Sequence, residues 1–335
     1  MQSFRGANIH RLLVRRRNRA LARRMGKILV TGAAGFIGSH TADRLLAEGH
    51  ETLGVDNFRT GHRKNLEAAM RSPAFRWAEA DVSEAGVLDG LVKEFRPDAI
   101  IHLAALVSVQ ESIQDPALNH RLNVTATELV AAAAGAHGVR RVVFASSAAI
   151  YGDTADLPIG EETLKRPISP YGEAKLASEG ILFEAGKQHG VTVRCHRYFN
   201  VFGLRQDPAS PYSGVISIFD RRYRDGKAVT VYGDGRQTRD FISVRDVARA
   251  NVIAATKPGI VSGSANICTG RATSLLDVVR VFASHYPTVP APGFAAARKG
   301  DIVHSLGRPD RAKRELDFVA AVSVEDALGE LIRAD

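Results

Sequence analysis

Lys27-Ile28-Leu29-Val30-Thr31-Gly32-Ala33-Ala34-Gly35-Phe36-Ile37-Gly38 is the stretch whose reading decides the fold. A short apolar run suited to a buried strand leads straight into glycines spaced GxxGxxG. Phe36 to Glu48 then carry a helical pattern that Gly49 closes. In such a strand–turn–helix the glycines permit a tight turn and close backbone approach, and the free N–H groups of the helix start meet a pyrophosphate. The spacing is not the GxGxxG of the common dehydrogenase fingerprint, although the physics is shared. A glycine-rich turn alone would say little. Its position between strand and helix makes Gly32, Gly35 and Gly38 candidate cofactor-binding residues.

Working outward, short β-branched runs alternate with helical patterns. Strands are expected at Glu51 to Val55, Phe75 to Glu79, Ala99 to Leu103, Arg141 to Ser146 and Val191 to Phe199. Helices are expected at Pro116 to Ala134 and at Tyr171 to His189, the second stopping at Gly190. Continuous apolar strands alternating with helices imply a doubly wound parallel sheet covered on both faces, with right-handed crossovers. After Asn200 the pattern breaks. Residues 203–240 are rich in Gly, Pro, Asp and Arg, residues 241–256 turn helical again from Ser243, and modest helices are expected near 274–285 and 323–333. The expected division is a nucleotide-binding domain of residues 25–199 and 241–266 beside a smaller, discontinuous α/β substrate domain of residues 200–240 and 267–335.

The net charge of +9 looks like a nucleic-acid signal until it is located. Residues 1–24 hold eight arginines and no acid, which leaves 37 basic and 36 acidic residues in the rest of the chain. That basic stretch reads as a transit peptide, as a nucleic-acid arm, or as an upstream extension. The extension, expected to be disordered, is preferred because Met25-Gly26-Lys27 stands directly before the first strand, where a chain of this type would begin. No nucleic-acid partner is expected, and no apolar run is long enough to span a bilayer. Two cysteines, Cys195 and Cys268, cannot make a disulfide framework, which points to a reducing compartment, the cytoplasm. No cluster has metal-ligand spacing.

Chemistry is concentrated at strand ends. Asp56 closes the second strand 18 residues after Gly38. A carboxylate there accepts hydrogen bonds from the adenosine ribose hydroxyls and repels a 2′-phosphate, favouring NAD over NADP. Asp81-Val82 follows the third strand, where the carboxylate could accept from the adenine amino group. Tyr171 and Lys175 are four apart on a helix and share a face. A phenol with a pKa near 10 is a poor base at neutral pH. A neighbouring ammonium and a positive nicotinamide ring would both favour its phenolate. Ser147 ends a strand on the ligand side of the sheet, where it can hydrogen-bond a substrate hydroxyl.

Taken together, GAAGFIGSH (32–40), Asp56-Asn57-Phe58, HLAA (102–105), SSAAIYG (146–152) and YGEAK (171–175) resemble the extended short-chain dehydrogenase/reductases, nucleotide-sugar epimerase branch. The likeness runs from Gly26 to about Ser305. It implies a Rossmann-type fold, bound NAD, a UDP-sugar substrate and a homodimer, with Ser147, Tyr171 and Lys175 as the catalytic set. It adds cofactor contacts from Phe36, Ile37, Asn57, Leu103, Ala104, Ala105 and Asn123, and leaves His102 structural. Related dehydratases and decarboxylases carry an acid two residues before the Tyr-Gly tyrosine. Here Ala149 stands there, which argues against both chemistries.

On the substrate side the resemblance puts Asn200 on the diphosphate or sugar, Tyr232 beside the uracil, and Arg239 and Arg298 on the diphosphate. Guanidinium forks suit phosphate oxygens. The position seven after Arg298 is Ser305, a small residue that leaves room for an N-acetyl group at the hexose C2. The expected activity is therefore 4-epimerisation of UDP-GlcNAc/UDP-GalNAc, with UDP-Glc/UDP-Gal also accepted. The rivals are another nucleotide-sugar epimerase such as one acting on UDP-glucuronate, an enzyme of the same fold that releases an oxidised or reduced product, and a non-catalytic NAD-sensing regulator.

Overall fold

The computed structural model describes residues 26–207, 214–297 and 302–334. The chain enters through β1 (Lys27–Thr31), β2 (Glu51–Asp56), β3 (Phe75–Glu79), β4 (Ala99–His102), β5 (Arg141–Ser147) and β6 (Thr192–Tyr198). Four short strands follow: β7 (Asn200–Phe202), β8 (Thr230–Tyr232), β9 (Thr238–Arg239) and β10 (Phe241–Ser243). Then come β11 (Gly263–Ile267), β12 (Thr273–Ser274) and β13 (Gly293–Ala295). The main sheet runs β3-β2-β1-β4-β5-β6-β11, and every neighbouring pair is parallel. Strand order reverses between β1 and β4, and in a doubly wound sheet the crevice at the carboxyl ends of those strands takes the ligand.

Alternation along the strands builds two apolar layers. Ile28 and Val30 of β1 face one layer with Ile101, Val143 and the helix Val244–Thr256. Leu29 faces the other with Ile100, Val142, Phe144 and residues of the helices Val87–Phe95 and Ala126–Ala136. Each fully buried aliphatic side chain contributes roughly 1.5–3 kcal/mol. A third cluster, holding Phe202, Ile216, Phe219, Tyr223, Val231 and Phe282, lies apart from both. Residues 310–318 behave differently from the expected division: Ala312, Leu316 and Phe318 pack into the first layer of the main sheet.

Two sequence expectations are corrected. The helix expected over 116–134 is three pieces, Pro116–Asn119, a π-helical turn His120–Thr125, and Ala126–Ala136. The turn is where the Asn123 side chain donates to Leu106 O at 2.9 Å and Asn119 Oδ1 at 2.8 Å. Such turns inside helices are frequent at functional sites. The stretch 203–240, read as irregular, contains the helix Val215–Arg224. Asp220, Arg221 and Arg222 interrupt its stripe of Ile216, Phe219 and Tyr223 in the sequence. Among the described residues no helix is long and apolar enough to cross a membrane, and no three His, Cys, Asp or Glu side chains cluster as metal ligands would. The basic stretch 1–24 lies outside the described residues.

Candidate active site

The glycine loop sits at the β1–β4 switch point. Gly32 has φ +70°, and a Cβ there would come within 2.7 Å of the Ala104 nitrogen, so only glycine lets the turn lie on the end of β4. At Gly38 a Cβ would approach the Gly32 oxygen to 1.9 Å, so the helix could not pack on the strand end. Gly35 precedes the helix Phe36–Ala47 with no side-chain cap, which leaves the N–H groups of Phe36, Ile37 and Gly38 as an anion-seeking helix start.

Asp56 is buried behind this loop. Its Oδ2 accepts from Ala34 N–H at 2.9 Å and its Oδ1 from Phe58 N–H at 2.9 Å. Burial pushes its carboxyl above the usual carboxylate range, opposed by the N–H groups of Phe58, Ala34, Asn57 and Gly35. Asn57 Nδ2 donates to Asp81 Oδ2 at 3.1 Å. Burial would raise Asp81, but the Ser83 hydroxyl and N–H, Arg121 and Asn57 together hold it below its ordinary value. Val82 beside it is buried.

On the opposite lip, Leu103 and Ala104 donate their N–H groups to Thr31 Oγ1, both at 3.2 Å. These two residues can therefore offer a ligand their carbonyls and side-chain surface but not their N–H donors; Ala105 follows directly. Asn123 uses its amide nitrogen internally, while its Oδ1 is buried without a partner among the described residues. His102 is held by Thr31 Oγ1 at 2.8 Å and Thr127 Oγ1 at 3.3 Å. Burial first, and then Lys175, drive it down to about 3, so it is neutral.

Tyr171 and Lys175 stand on the helix Pro170–His189. Ser169 Oγ caps it by accepting from Gly172 N–H at 3.2 Å, Pro170 supplies a preset φ, and Gly190 at φ +69° ends it. The Tyr171 hydroxyl hydrogen-bonds Ser147, whose Oγ also accepts from Ala149 N–H at 3.1 Å. Lys175 is 2% exposed and makes no hydrogen bond or ion pair among the described residues. Its Nζ lies 4.8 Å from the Phe144 ring centroid and 5.8 Å from that of Tyr171. Burial lowers it to about 7.

One expectation about this pair changes. Burial pushes the Tyr171 phenol up, and only the Ser147 hydrogen bond draws it back. A lysine lowered to about 7 by burial is only partly charged at neutral pH, which weakens it as an activating ammonium in the chain alone. The buried, unbonded Lys175, the orphaned Asn123 Oδ1 and the cradle that side chains would fill all fit a bound dinucleotide.

Ser147 and Tyr171 open into a cavity of about 320 Å³, where the structure also brings Asn200, Arg239 and Ser305. The remaining walls, missed by sequence reading, include Val107, Val109, Thr154, Ile159, Tyr198, Phe199, Ile302 and His304. Ala149 is also in the lining, so no acid stands at that position. Long-range pairings close the cavity. Ser305 N–H donates to Thr238 O at 3.1 Å, and Ile159 N–H donates to Leu306 O at 2.8 Å. His304 Nδ1 meets Thr238 Oγ1 at 2.9 Å. Asp240, fully buried, accepts from the N–H groups of Thr269, Gly270 and Gly307, tying the segment behind Ser305 to the turn that follows β11. No spacing in the chain announces these contacts, because the partners lie far apart in sequence.

Tyr232 is 37% exposed on β8 and does not line the cavity. Arg298 lies outside the described residues. A separate hollow of about 360 Å³, lined by Lys93, Arg96, Asp98, His137 and Arg140, opens at the amino ends of β4 and β5 and contains none of the expected site residues.

A doubly wound sheet with a glycine cradle at its switch point, and beside it a buried Lys175 with half-buried Ser147 and Tyr171, defines a nicotinamide-dinucleotide enzyme. The NAD dependent epimerase/dehydratase family profile matches residues 28–268. The chain is 36% identical over 308 residues to the UDP-glucose 4-epimerase of Mycolicibacterium smegmatis, covering 91% of this chain and 97% of that protein. It is similar to the crystal structure of UDP-glucose 4-epimerase with UDP-glucose from Thermotoga maritima, at TM-score 0.85 and 33% identity over 91% of this chain and 97% of that one. It is also similar to the UDP-N-acetylglucosamine 4-epimerase of Methanobrevibacter ruminantium in complex with UDP-N-acetylmuramic acid, at TM-score 0.87 and 30% identity over 92% and 98% of the two chains. The chain belongs to the NAD dependent epimerase/dehydratase family, and its cofactor is NAD.

Proposed function

We propose that the protein interconverts the C4 epimers of a UDP-hexose: UDP-GlcNAc with UDP-GalNAc, and UDP-Glc with UDP-Gal. The observation that carries this reading is the single cavity in which Ser147 and Tyr171 face Asn200, Arg239 and Ser305 with Ala149 in place of an acid. Named relatives that act on UDP-glucose and UDP-N-acetylglucosamine support it.

Bound NAD supplies the hydride acceptor and donor. Tyr171 takes the proton of the C4 hydroxyl, and Ser147 holds that oxygen by a hydrogen bond while C4 becomes a ketone. Lys175, buried and only partly charged in the chain alone, would hold the nicotinamide ribose, and its proton would then have partners. Together with the positive ring this favours the Tyr171 phenolate, which burial alone opposes. Turning the 4-keto sugar within the cavity would present its other face for reduction, inverting C4, with Tyr171 giving the proton back to the oxygen. Arg239 and Arg298 keep the diphosphate fixed throughout, and the uncharged Ala149 leaves no group to drive elimination.

The same proposal takes residues 25–199 and 241–266 as the cofactor unit, and residues 200–240 with most of 267–335 as the sugar-nucleotide unit. It includes a homodimer, which sedimentation checks, and work in the cytoplasm, where the buried thiols of Cys195 and Cys268 stay reduced. Incubation with UDP-Glc, UDP-Gal, UDP-GlcNAc, UDP-GalNAc and UDP-glucuronate, read by product chromatography, tests the reading. The four neutral sugars should be converted in pairs; conversion of the glucuronate alone would replace it.

A further inference from the structure

A buried polar network joins the three segments that carry the chemistry, and the proposed mechanism does not use it. Tyr171, Lys175 and Glu179 follow one another at intervals of four on the helix Pro170–His189, so Glu179 continues the face that holds the tyrosine and lysine. Glu179 is 3% exposed and meets Arg197 of β6, 4% exposed, through two parallel bonds: Nε to Oε1 at 3.0 Å and Nη2 to Oε2 at 2.7 Å. The same guanidinium donates from Nη1 to the Tyr151 hydroxyl at 2.9 Å and to the Glu161 carbonyl at 3.2 Å. Tyr151 in turn donates to Asn266 Oδ1 of β11 at 2.7 Å.

Each contact ends on a segment of the active site. Arg197 is paired in the sheet with Ser146, directly beside Ser147. Tyr151 closes the short turn Ala148–Tyr151 that leaves Ser147. Asn266 and Glu161 brace Ile159, a cavity wall: Asn266 Nδ2 donates to the Ile159 carbonyl at 2.9 Å, and Glu161 Oε1 accepts from Asn266 N–H at 2.8 Å. Arg197 is not in the cavity lining, so it has no route to substrate.

Burying an ion pair is a poor means of stabilising a fold, since an apolar pair of similar volume is often as stable or more so. A bidentate guanidinium–carboxylate pair instead fixes distance and rotation together. We propose that Arg197 is a positioning residue for the reaction: through Glu179 and Tyr151 it sets the helix bearing Tyr171 and Lys175 against the strand end bearing Ser147. The proposal rests on Tyr171 and Ser147 carrying the reaction.

Wild-type turnover of UDP-glucose or UDP-N-acetylglucosamine is measured first, because its absence would sink the functional reading without touching this one. Arg197→Lys keeps the charge but cannot span Glu179 and Tyr151 at once. It should lower kcat by about 10- to 100-fold, the penalty of a misplacement near 1 Å, with KM for the UDP-sugar and NAD content within about twofold of wild type. The double variant Arg197→Met with Glu179→Leu leaves no lone buried charge; it should melt within a few degrees of wild type and stay as slow as Arg197→Lys. Where it fails to fold, Tyr151→Phe, which removes only the hydroxyl, should still cut kcat by about threefold or more. A substrate-free readout is the tyrosinate absorbance that disappears in Tyr171→Phe. Its titration midpoint should rise in Arg197→Lys as the bond to Ser147 loosens. A folded variant with kcat within twofold of wild type and an unmoved midpoint would overturn the proposal.

Discussion

The cofactor side and the sugar side of the cavity are built by different means. On the cofactor side, Gly32, Gly38, Asp56, Ser147, Tyr171 and Lys175 are held by one sheet and the helices packed directly on it, and most of their contacts are main-chain or buried. On the sugar side, Arg239, His304 and Ser305 stand on short strands and loops. There, Thr238 bonds Val303 and Ser305, Ile159 bonds Leu306, and Asp240 ties Gly307 to Thr269 and Gly270. The difference separates chemistry from selectivity. On the proposed mechanism, the half built on the sheet places the proton and hydride transfers, and the laced-together half can change its wall without disturbing them.

The largest effect expected is on the half built on the sheet. Tyr171→Phe should lower kcat by about 10²–10⁴-fold, while binding of NAD and UDP-sugar, followed by calorimetry, stays nearly unchanged. Loss of binding instead of rate would erase the distinction between the halves.

Acid should destabilise the fold through two histidines buried in the sheet. His102 and His196 are both held near 3, the first by burial and then Lys175, the second by burial and then Arg194 against an opposing Asn251 hydrogen bond. Both are neutral in the fold, whereas the unfolded chain protonates them below about 6.5. The unfolded state therefore binds more protons as pH falls from about 6.5 toward 3, and stability declines across that window. By pH 5 each histidine should cost roughly 2 kcal/mol. Denaturant midpoints at pH 7.5 and 5 measure the loss, and His102→Gln and His196→Gln should each flatten it. A loss left unchanged in both variants would contradict the burial account of these two histidines.

A smaller effect is expected on the laced half. Arg239→Ala removes the Nη1 bonds to the Thr238 and Val303 carbonyls and, on the proposed reading, a charge-assisted contact to the diphosphate. KM for the UDP-sugar should rise about 10- to 100-fold, with kcat changed far less. A kcat collapse at unchanged KM would move Arg239 into the chemistry. Ser305→Tyr should remove turnover of the acetylated pair and spare UDP-Glc and UDP-Gal, because an open pocket still admits the smaller sugar. Product ratios from mixed substrates show whether the wall acts on selectivity alone.

How far the sequence could be read follows the same divide. The glycine loop, the strand-end Asp56 and Ser147, and the Tyr171/Lys175 interval are local patterns, legible because a strand–turn–helix and a helical repeat of four leave marks in adjacent residues. The charge state of the Tyr171/Lys175 pair was not legible, since burial acts through distant residues and drives both groups toward neutrality. Asn123 hid its break in the helix 116–136 for a similar reason: its partner Leu106, 17 residues back along the chain, is visible only in three dimensions. His304, Ile159 and Asp240 leave no local mark, because each gains its place from segments up to 150 residues away, as the Arg308 contact to Pro158 illustrates.

The central claim is redox-neutral inversion at C4 by a hydride that leaves and returns to the same carbon. The direct test is incubation with UDP-glucose and UDP-N-acetylglucosamine carrying deuterium at C4, in ordinary water, with products read by proton NMR and nicotinamide absorbance followed throughout. The account predicts C4 epimers that keep the deuterium, with no accumulation of NADH. Epimers that have lost it to solvent, or NADH formed in step with an oxidised sugar, would contradict it.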